Sequence, residues 1–274
     1  MTDIAEMISL IIPTYNCIEY LDETIGSVSS RPKDDVELII VDDGSDDGTA
    51  QKLDAMQPKA SDNNVKIILC EHKGVSAARN TGIDAASGDR IAFMDCDDCL
   101  ADHFWDKSRM VTDNDADLYI FSFERVAETV TPMIVENAYY NTVSDFADEY
   151  IRNRHLLIYS ACNKLYRKSL LDDHGIRFRE DMEFGEDRMF NYDYLPVCNS
   201  VITSNVVMFR YMQRNPDSAS NRRFSDHYNT IMKLHKAKTD CFISLSKGTT
   251  KSEKDDFIKY DLDTELKRMK ERME

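Results

Sequence analysis

Four short apolar runs, each stopped by polar residues and followed by a helix-like stretch, constrain this chain more than any other feature. Ile8 to Ile12 is β-branched and ends at Pro13, and Val36 to Val41 ends in Asp42-Asp43-Gly44-Ser45. Val65 to Leu69 is the third run, and Ile91 to Met94 stops in Asp95-Cys96-Asp97-Asp98. Between them, Ile18 to Ser30 puts Ile18, Leu21, Ile25 and Val28 on one helical face. Thr49 to Met56 and the Ala-rich Ser76 to Ala86 also read as helices. Continuous apolar strands alternating with amphipathic helices predict a mainly parallel sheet covered on both faces, an α/β fold. Ligands of such sheets bind outside the carboxyl ends of the strands, where the polar clusters lie.

After Asp102 the pattern changes. Leu118 to Phe123 and Thr129 to Val135 are strand-like, Val143 to Asn153 is helical, and Asn163 to Tyr166 is a short strand. Glu186 to Leu195 reads as a helix opening on acidic residues, and Val201 to Tyr211 as a further strand. From about Phe224 the signal is helical. There Thr250 and Glu253 have the spacing of a capping box. Ile258, Leu262, Leu266, Met269 and Met273 then form an apolar stripe that predicts packing on the same domain or on a second copy of the chain.

The composition excludes several classes. With 274 residues, 42% hydrophobic and 31% charged, the chain can bury a large core in one large domain, or one domain and an appendage. A net charge of −16 argues against nucleic acid and predicts that an anionic substrate needs a cation or local Arg residues. No apolar stretch is long enough to span a membrane, and Asp3 and Glu6 interrupt any secretory signal. The expectation is therefore a cytoplasmic protein, at most peripherally attached to a membrane. Seven scattered cysteines fit a reducing compartment, and Cys96 and Cys99 form a lone C-x-x-C with no partner pair.

The clusters differ in what they can do. Carboxylates at the end of a strand suit Mg²⁺ or Mn²⁺, which takes one or two of them plus substrate phosphates, so Asp95-Cys96-Asp97 suggests a metal-bridged nucleotide diphosphate. Alone, the motif would read better as a solvated acidic turn. In Pro13-Thr14-Tyr15-Asn16, an exposed Tyr15 could stack on a base, although a ring packed under the first helix is the commoner outcome. Asp42 and Asp43 can accept from a uracil N–H or ribose hydroxyls, whereas Asp46 and Asp47 read as helix-capping turn residues. Gly74-x-Ser76-Ala77-Ala78-Arg79-Asn80-x-Gly82 is a close-packing helix in which Arg79 serves either a buried ion pair or a phosphate. Glu186 and Asp187 stand where a helix dipole favours acids, yet a carboxylate in a cleft can also act as a general base. Tyr211-x-x-Arg214-x-x-x-Ser218-x-Ser220 is a polar loop whose cation could close over a pyrophosphate.

Taken in order, Ser9 to Asn16, Ile40 to Thr49, Ala78 to Ile83, Ile91 to Asp98 and Gly185-Glu186-Asp187 resemble glycosyltransferase family 2 over roughly residues 7 to 220. The resemblance implies a GT-A fold and an inverting enzyme of bacterial surface-polysaccharide type. The catalytic domain would span 1–220, with a nucleotide-sugar half to about 102 and an acceptor half over 103–220, followed by a helical region at 221–274. It implies a nucleotide-sugar site of Pro13, Tyr15, Asp42, Asp43, Gly74, Arg79, Asp95, Cys96, Asp97 and Arg214. Within it Tyr15 lies near the base, Asp43 on uracil or ribose, Asp95 on the ribose side and Arg214 over the diphosphate. Asp97 would ligate Mn²⁺ or Mg²⁺, Asp187 would be the base, and Asn163, Lys164 and Glu186 are acceptor-site candidates. Many such sequences have Trp where this chain has Cys162, which bears on acceptor recognition there. The implied partners are a UDP-hexose or UDP-N-acetylhexosamine and a glycan or lipid-linked glycan. A homodimer through the last helix is a further expectation.

Two rivals remain at this stage. A sugar-phosphate nucleotidyltransferase would favour a Gly- and Arg-rich loop after the first strand, where this chain has Pro13 to Asn16. A catalytically silent binding module has no need to keep both Asp97 and Asp187.

Overall fold

The computed structural model describes residues 6–57, 64–106, 115–154, 157–214 and 226–273. The first half alternates as expected: β1 (Ile8–Thr14), α1 (Leu21–Ser27), β2 (Val36–Asp42), α2 (Thr49–Met56), β3 (Val65–Leu69), α3 (Val75–Ala85) and β4 (Arg90–Phe93). The second half holds β5 (Cys99–Leu100), β6 (Leu118–Val126), β7 (Val130–Met133), β8 (Ala138–Tyr140), α4 (Val143–Asn153) and β9 (Lys164–Arg167). It continues with α5 (Lys168–Asp173), α6 (Glu186–Tyr194), β10 (Val201–Met212), α7 (His227–Leu245) and α8 (Lys251–Met273).

Among the described residues the strands form one ten-stranded sheet ordered β3-β2-β1-β4-β9-β6-β10-β5, with β7 beside β6 and β8 beside β10. Strands β1 to β4 are parallel, so their carboxyl ends share one edge. β9 runs antiparallel between β4 and β6 and joins the two halves. Strand β1 passes through Pro13 instead of stopping before it. Pro13 faces the β4 side, where the pairing ends once Met94 N donates to Ile11 O at 3.1 Å, so its missing N–H leaves no ladder bond unmade.

The core lies on both faces of the sheet and is wholly enclosed at Leu10, Ile11, Ile39, Ile40, Ile91 and Phe93. Under the β4 end, Phe93 meets Phe178 edge-on with centroids 5.1 Å apart, and Phe178 stacks on Phe190 at 4.0 Å. Helix α7 packs on α4, α6 and α8. No helix among the described residues is long and apolar enough to cross a membrane.

Helix α8 starts at the capping box read from sequence: Thr250 N donates to Glu253 Oε2 at 2.6 Å and Glu253 N to Thr250 Oγ1 at 3.3 Å. Its inward face is not the expected one. The enclosed side chains are Phe257, Asp261 and Glu265, whereas Ile258, Leu262, Leu266 and Met269 are only half-buried. Cations on neighbouring helices take Asp261 and Glu265, and that pairing sets the rotation of the helix. Met273's side chain, Phe224, Ser218 and Ser220 lie outside what is described.

Candidate active site

Three strand ends build one wall of the cleft. Tyr15, just past β1, is exposed and stacks on His72, with ring centroids 4.3 Å apart and planes at 21°. His72 Nδ1 lies 2.8 Å from Asp43 Oδ2 and 3.0 Å from the Asp43 carbonyl oxygen. The buried Asp43 carboxylate also accepts from Lys73 N and Gly74 N, each at 2.8 Å. Gly44 permits this approach, since it has φ +74 and a Cβ there would lie 2.7 Å from His72 N. Gly74 caps α3 with open space where its Cβ would be.

This arrangement corrects the reading of the two carboxylates. Asp42 is buried and builds its own turn, accepting from Ser45 Oγ at 2.6 Å and Ser45 N at 3.0 Å. Asp43 is filled by the loop at residues 72–74. Both carboxylates are buried, and the contacts of Asp43 fix the position of that loop. His72 escaped the sequence reading; its signal was a polar ring between the end of β3 and a helix-opening glycine.

The acidic turn after β4 is pinned from behind. Thr24 Oγ1 of α1 lies 2.7 Å from Cys96 O and 3.0 Å from Asp98 O. Asp98 points inward, accepts from Met212 N at 2.9 Å, and keeps Oδ2 buried without a hydrogen-bond partner. Burial, then the neighbouring Asp95 and Asp97, pushes its carboxyl well above the usual range. Cys96 is half-buried, and all seven cysteines are free thiols. Among the described residues, no three or more His, Cys, Asp or Glu side chains converge as a metal cage. A cation here would use Asp97, which is partly exposed beside Asp95, and complete its shell from a diphosphate, as Mg²⁺ and Mn²⁺ commonly do.

Arg214, two residues past β10, is held by Glu23 Oε2 at 2.5 Å, lies over the Tyr20 ring at 4.8 Å, and has Nη2 3.4 Å from Asp97 O. It thus flanks the acidic turn.

Arg79 joins the strand ends to α6. Its guanidinium is buried over the Phe178 ring at 5.1 Å. Nη2 donates to Asp95 Oδ1 at 2.8 Å, and Nη1 donates to Glu186 Oε1 at 2.8 Å and to Asp187 Oδ1 at 3.4 Å. Of its two readings, the structure has the ion pair. Because one guanidinium spans Asp95 and Asp187, the acidic turn and the start of α6 lie side by side.

The two α6 carboxyls are driven apart. Burial, then the charge of Asp187 and the hydrogen bond to it, pushes Glu186 up to about 8. Burial acts in the same sense on Asp187, but Arg79, the hydrogen bond from Glu186 and the amide of Ala161 hold it below the usual carboxylate range. At neutral pH Glu186 therefore keeps the proton and Asp187 the charge, the assignment a general base requires.

Asn163 and Lys164 need correcting as acceptor candidates, for both are wholly enclosed. Lys164 Nζ donates to Leu157 O at 2.8 Å, to Asn163 Oδ1 at 2.7 Å and to Ser160 O. Asn163 Nδ2 donates to Phe121 O at 2.9 Å. Burial lowers the Lys164 ammonium to about 7. These residues shape the loop that gives Asp187 the Ala161 amide. Glu186 alone of the three faces the cleft.

With this geometry in place, comparison with known proteins gives its origin. The family model described as "Glycosyl transferase family 2" matches residues 9–175. The chain belongs to glycosyltransferase family 2. Glu186 and Asp187 lie just beyond the matched segment. EpsH of Bacillus subtilis strain 168, named as a glycosyltransferase, is 30% identical over 191 residues, 68% of this chain and 54% of its own length. The poly(ribitol-phosphate) beta-N-acetylglucosaminyltransferase TarS of Staphylococcus aureus is 27% identical over 187 residues, 66% of this chain and 31% of TarS. This family 2 chain thus spans about half of EpsH and a third of TarS. The crystal structure of S. aureus TarS 1-349 in complex with UDP-GlcNAc shares its fold, with a TM-score of 0.72, 23% identity, and coverage of 93% of this chain and 71% of that one.

Proposed function

We propose that this chain is an inverting glycosyltransferase that moves a hexose or N-acetylhexosamine from a UDP-sugar to a hydroxyl of a bacterial surface glycan, lipid-linked or free. The observation that carries the reading is the bracket made by Arg79, which holds an ionised Asp187 and the acidic turn after β4 against one cleft. A family 2 relative that binds UDP-GlcNAc on the same fold supports a UDP-sugar donor.

In this reading the base moiety lies against Tyr15 and His72, and the diphosphate lies between the acidic turn and Arg214. Asp187 takes the proton of the acceptor hydroxyl. The acceptor oxygen bonds to the anomeric carbon from the face opposite the diphosphate, the carbon–oxygen bond to the diphosphate breaks, and UDP leaves. One base suffices, since UDP departs as an anion that needs no proton. Glu186 stays protonated and donates to Asp187, which fixes the base's orientation. Mn²⁺ or Mg²⁺ held by Asp97 would neutralise charge on the departing diphosphate. The cell compartment that follows is the cytoplasm, with acceptor chains presented at the inner membrane face.

A nucleotidyltransferase is disfavoured by Pro13 to Asn16 at the first strand end, where it would hold glycines and arginines for a triphosphate. The test is a panel of UDP-sugars scored for UDP release with and without acceptor glycans, run in parallel on Asp187→Asn. Acceptor-dependent release that vanishes in the variant is the expected result. Pyrophosphate release, or undiminished transfer by the variant, would refute the assignment.

A further inference from the structure

Helices α7 and α8 lie outside the segment matched to the family, yet they make three contacts on the residues flanking Glu186 and Asp187. Phe184 stacks on His227 of α7 at 4.8 Å and 18°. Gly185 caps α6 with φ +80, and a Cβ there would come 2.5 Å from Leu234 Cδ1, so α7 sits directly on the turn. Arg188, the next residue after Asp187, donates through Nη1 to Glu265 Oε2 of α8 at 3.3 Å and through Nη2 to Glu265 Oε1. Its guanidinium also lies over the Tyr159 ring at 5.0 Å.

Glu265 is enclosed, and so is Asp261 one turn earlier, which meets His235 Nδ1 at 2.7 Å and Lys238 Nζ. Burying ion pairs is a poor route to stability, because apolar residues of similar volume often do as well or better. The chain nevertheless turns these carboxylates inward and leaves the apolar stripe of α8 half-buried. A fork–fork pair fixes distance and direction where an apolar contact would slide. The residue so fixed is bonded directly to Asp187 in the chain.

We propose that Glu265 is a positioning residue for Asp187: through Arg188, the C-terminal helices set the first turn of α6 and thereby the aim of the base. The inference rests on Asp187 being the base. Its test uses the full chain in three forms: Glu265→Gln, the paired Arg188→Met/Glu265→Met, and Asp187→Asn as a control. UDP release from UDP-GlcNAc and UDP-glucose gives kcat and KM, calorimetry gives UDP affinity, and thermal unfolding reports folding. A misplacement on the ångström scale costs about 100-fold in rate. The expected result is therefore a kcat roughly 10- to 100-fold lower in both Glu265 variants, with donor KM and UDP affinity within about twofold of wild type. The paired variant keeps its fold, since it buries no unpaired charge. Wild-type kcat in the folded paired variant would overturn the proposal. An active Asp187→Asn would instead sink the assignment of the base, so the two failures are told apart.

Discussion

Arg79 Nη2 donates to Asp95 Oδ1 at 2.8 Å across the end of the sheet, and the same guanidinium serves Glu186 and Asp187 on its other side. Only a rigid planar fork reaches both flanks at once; a lysine ammonium is a single point on a flexible stem. Arg79→Lys should therefore lose more than about tenfold in transfer, as expected when a catalytic group loses its orientation. Arg79→Met leaves three carboxyls without their cation and should cost about 3 kcal/mol of stability at neutral pH. Denaturant unfolding and initial rates of both variants check this. Activity retained by the lysine form would contradict the bracket.

Asp97 and Asp187 should separate by ligand. Asp97→Ala and Asp187→Asn should each nearly abolish transfer, the second through loss of a base typically worth about 10²- to 10⁴-fold. Only Asp97→Ala should also weaken nucleotide binding in the presence of Mn²⁺. Titration calorimetry of UDP with and without Mn²⁺ resolves the two, and equal losses in both variants would count against the division of roles.

The boundaries of β1 to β4 could be read from sequence to within a residue or two, because each is a mostly apolar run stopped by polar residues, although β3 at the sheet edge is only half-buried. The cluster positions were readable for the same reason, since parallel strands end on a common edge. What each carboxylate touches was not. Asp43 is met by the amides of Lys73 and Gly74 and the ring of His72, which follow another strand, and nothing local to Asp42-Asp43-Gly44 encodes that. Periodicity misjudged α8 because Arg188, Lys238 and His235, all distant in sequence, draw Asp261 and Glu265 inward. Lys164 read as a polar site residue because its three acceptors are carbonyl and amide oxygens of a loop, which leave no sequence trace. Strands β5 and β8 are too short to carry a period.

Gly82 tests the packing that brings Arg79 to the cleft. A Cβ at this buried helix position would lie 2.4 Å from Ile11 Cγ2, and Ile11 is fully enclosed in β1. Helix propensity favours Ala by about 1 kcal/mol, but overpacking a close contact costs about 1–3 kcal/mol, and a β-branched neighbour has little rotamer freedom to yield. Gly82→Ala should be destabilised, with a lower denaturant midpoint and an unchanged slope. A stabilised variant would mean that α3 and β1 are less tightly apposed.

At the opposite edge of the sheet, Glu37 should govern acid stability. Its enclosed carboxylate accepts from Ser87 N at 2.6 Å, Ser87 Oγ at 2.8 Å, Gly88 N at 3.1 Å and Ser9 Oγ, and pairs with Lys66 at 2.8 Å. Burial opposes ionisation, but these donors hold the group at about 2 against an ordinary 4.5. A depressed folded value means that the stabilisation is whole above pH 4.5 and is lost as pH falls toward 2, about 3 kcal/mol in all. Glu37→Gln should be the less stable form at pH 7, and the gap to wild type should close across that window. A gap that stays constant with pH would remove Glu37 from the account.

Glu186 should set the alkaline limit of the enzyme. Its folded value is raised to about 8, so the stability it contributes is complete below its unfolded value and declines as pH rises through the folded one. Ionisation there also removes the hydrogen bond that orients Asp187 and sets a second negative charge beside it, facing a diphosphate. Wild-type transfer should therefore fall as pH passes about 8, the position of the Glu186 group. Glutamine keeps an N–H donor and cannot ionise, so Glu186→Gln should stay active at pH 7 and move the alkaline limb to higher pH. Its acid limb, set by Asp187, should move little, because the donor to that carboxylate survives. A pH profile of kcat/KM for both forms decides the matter: an alkaline limb identical in the two would mean that Glu186 does not carry the proton.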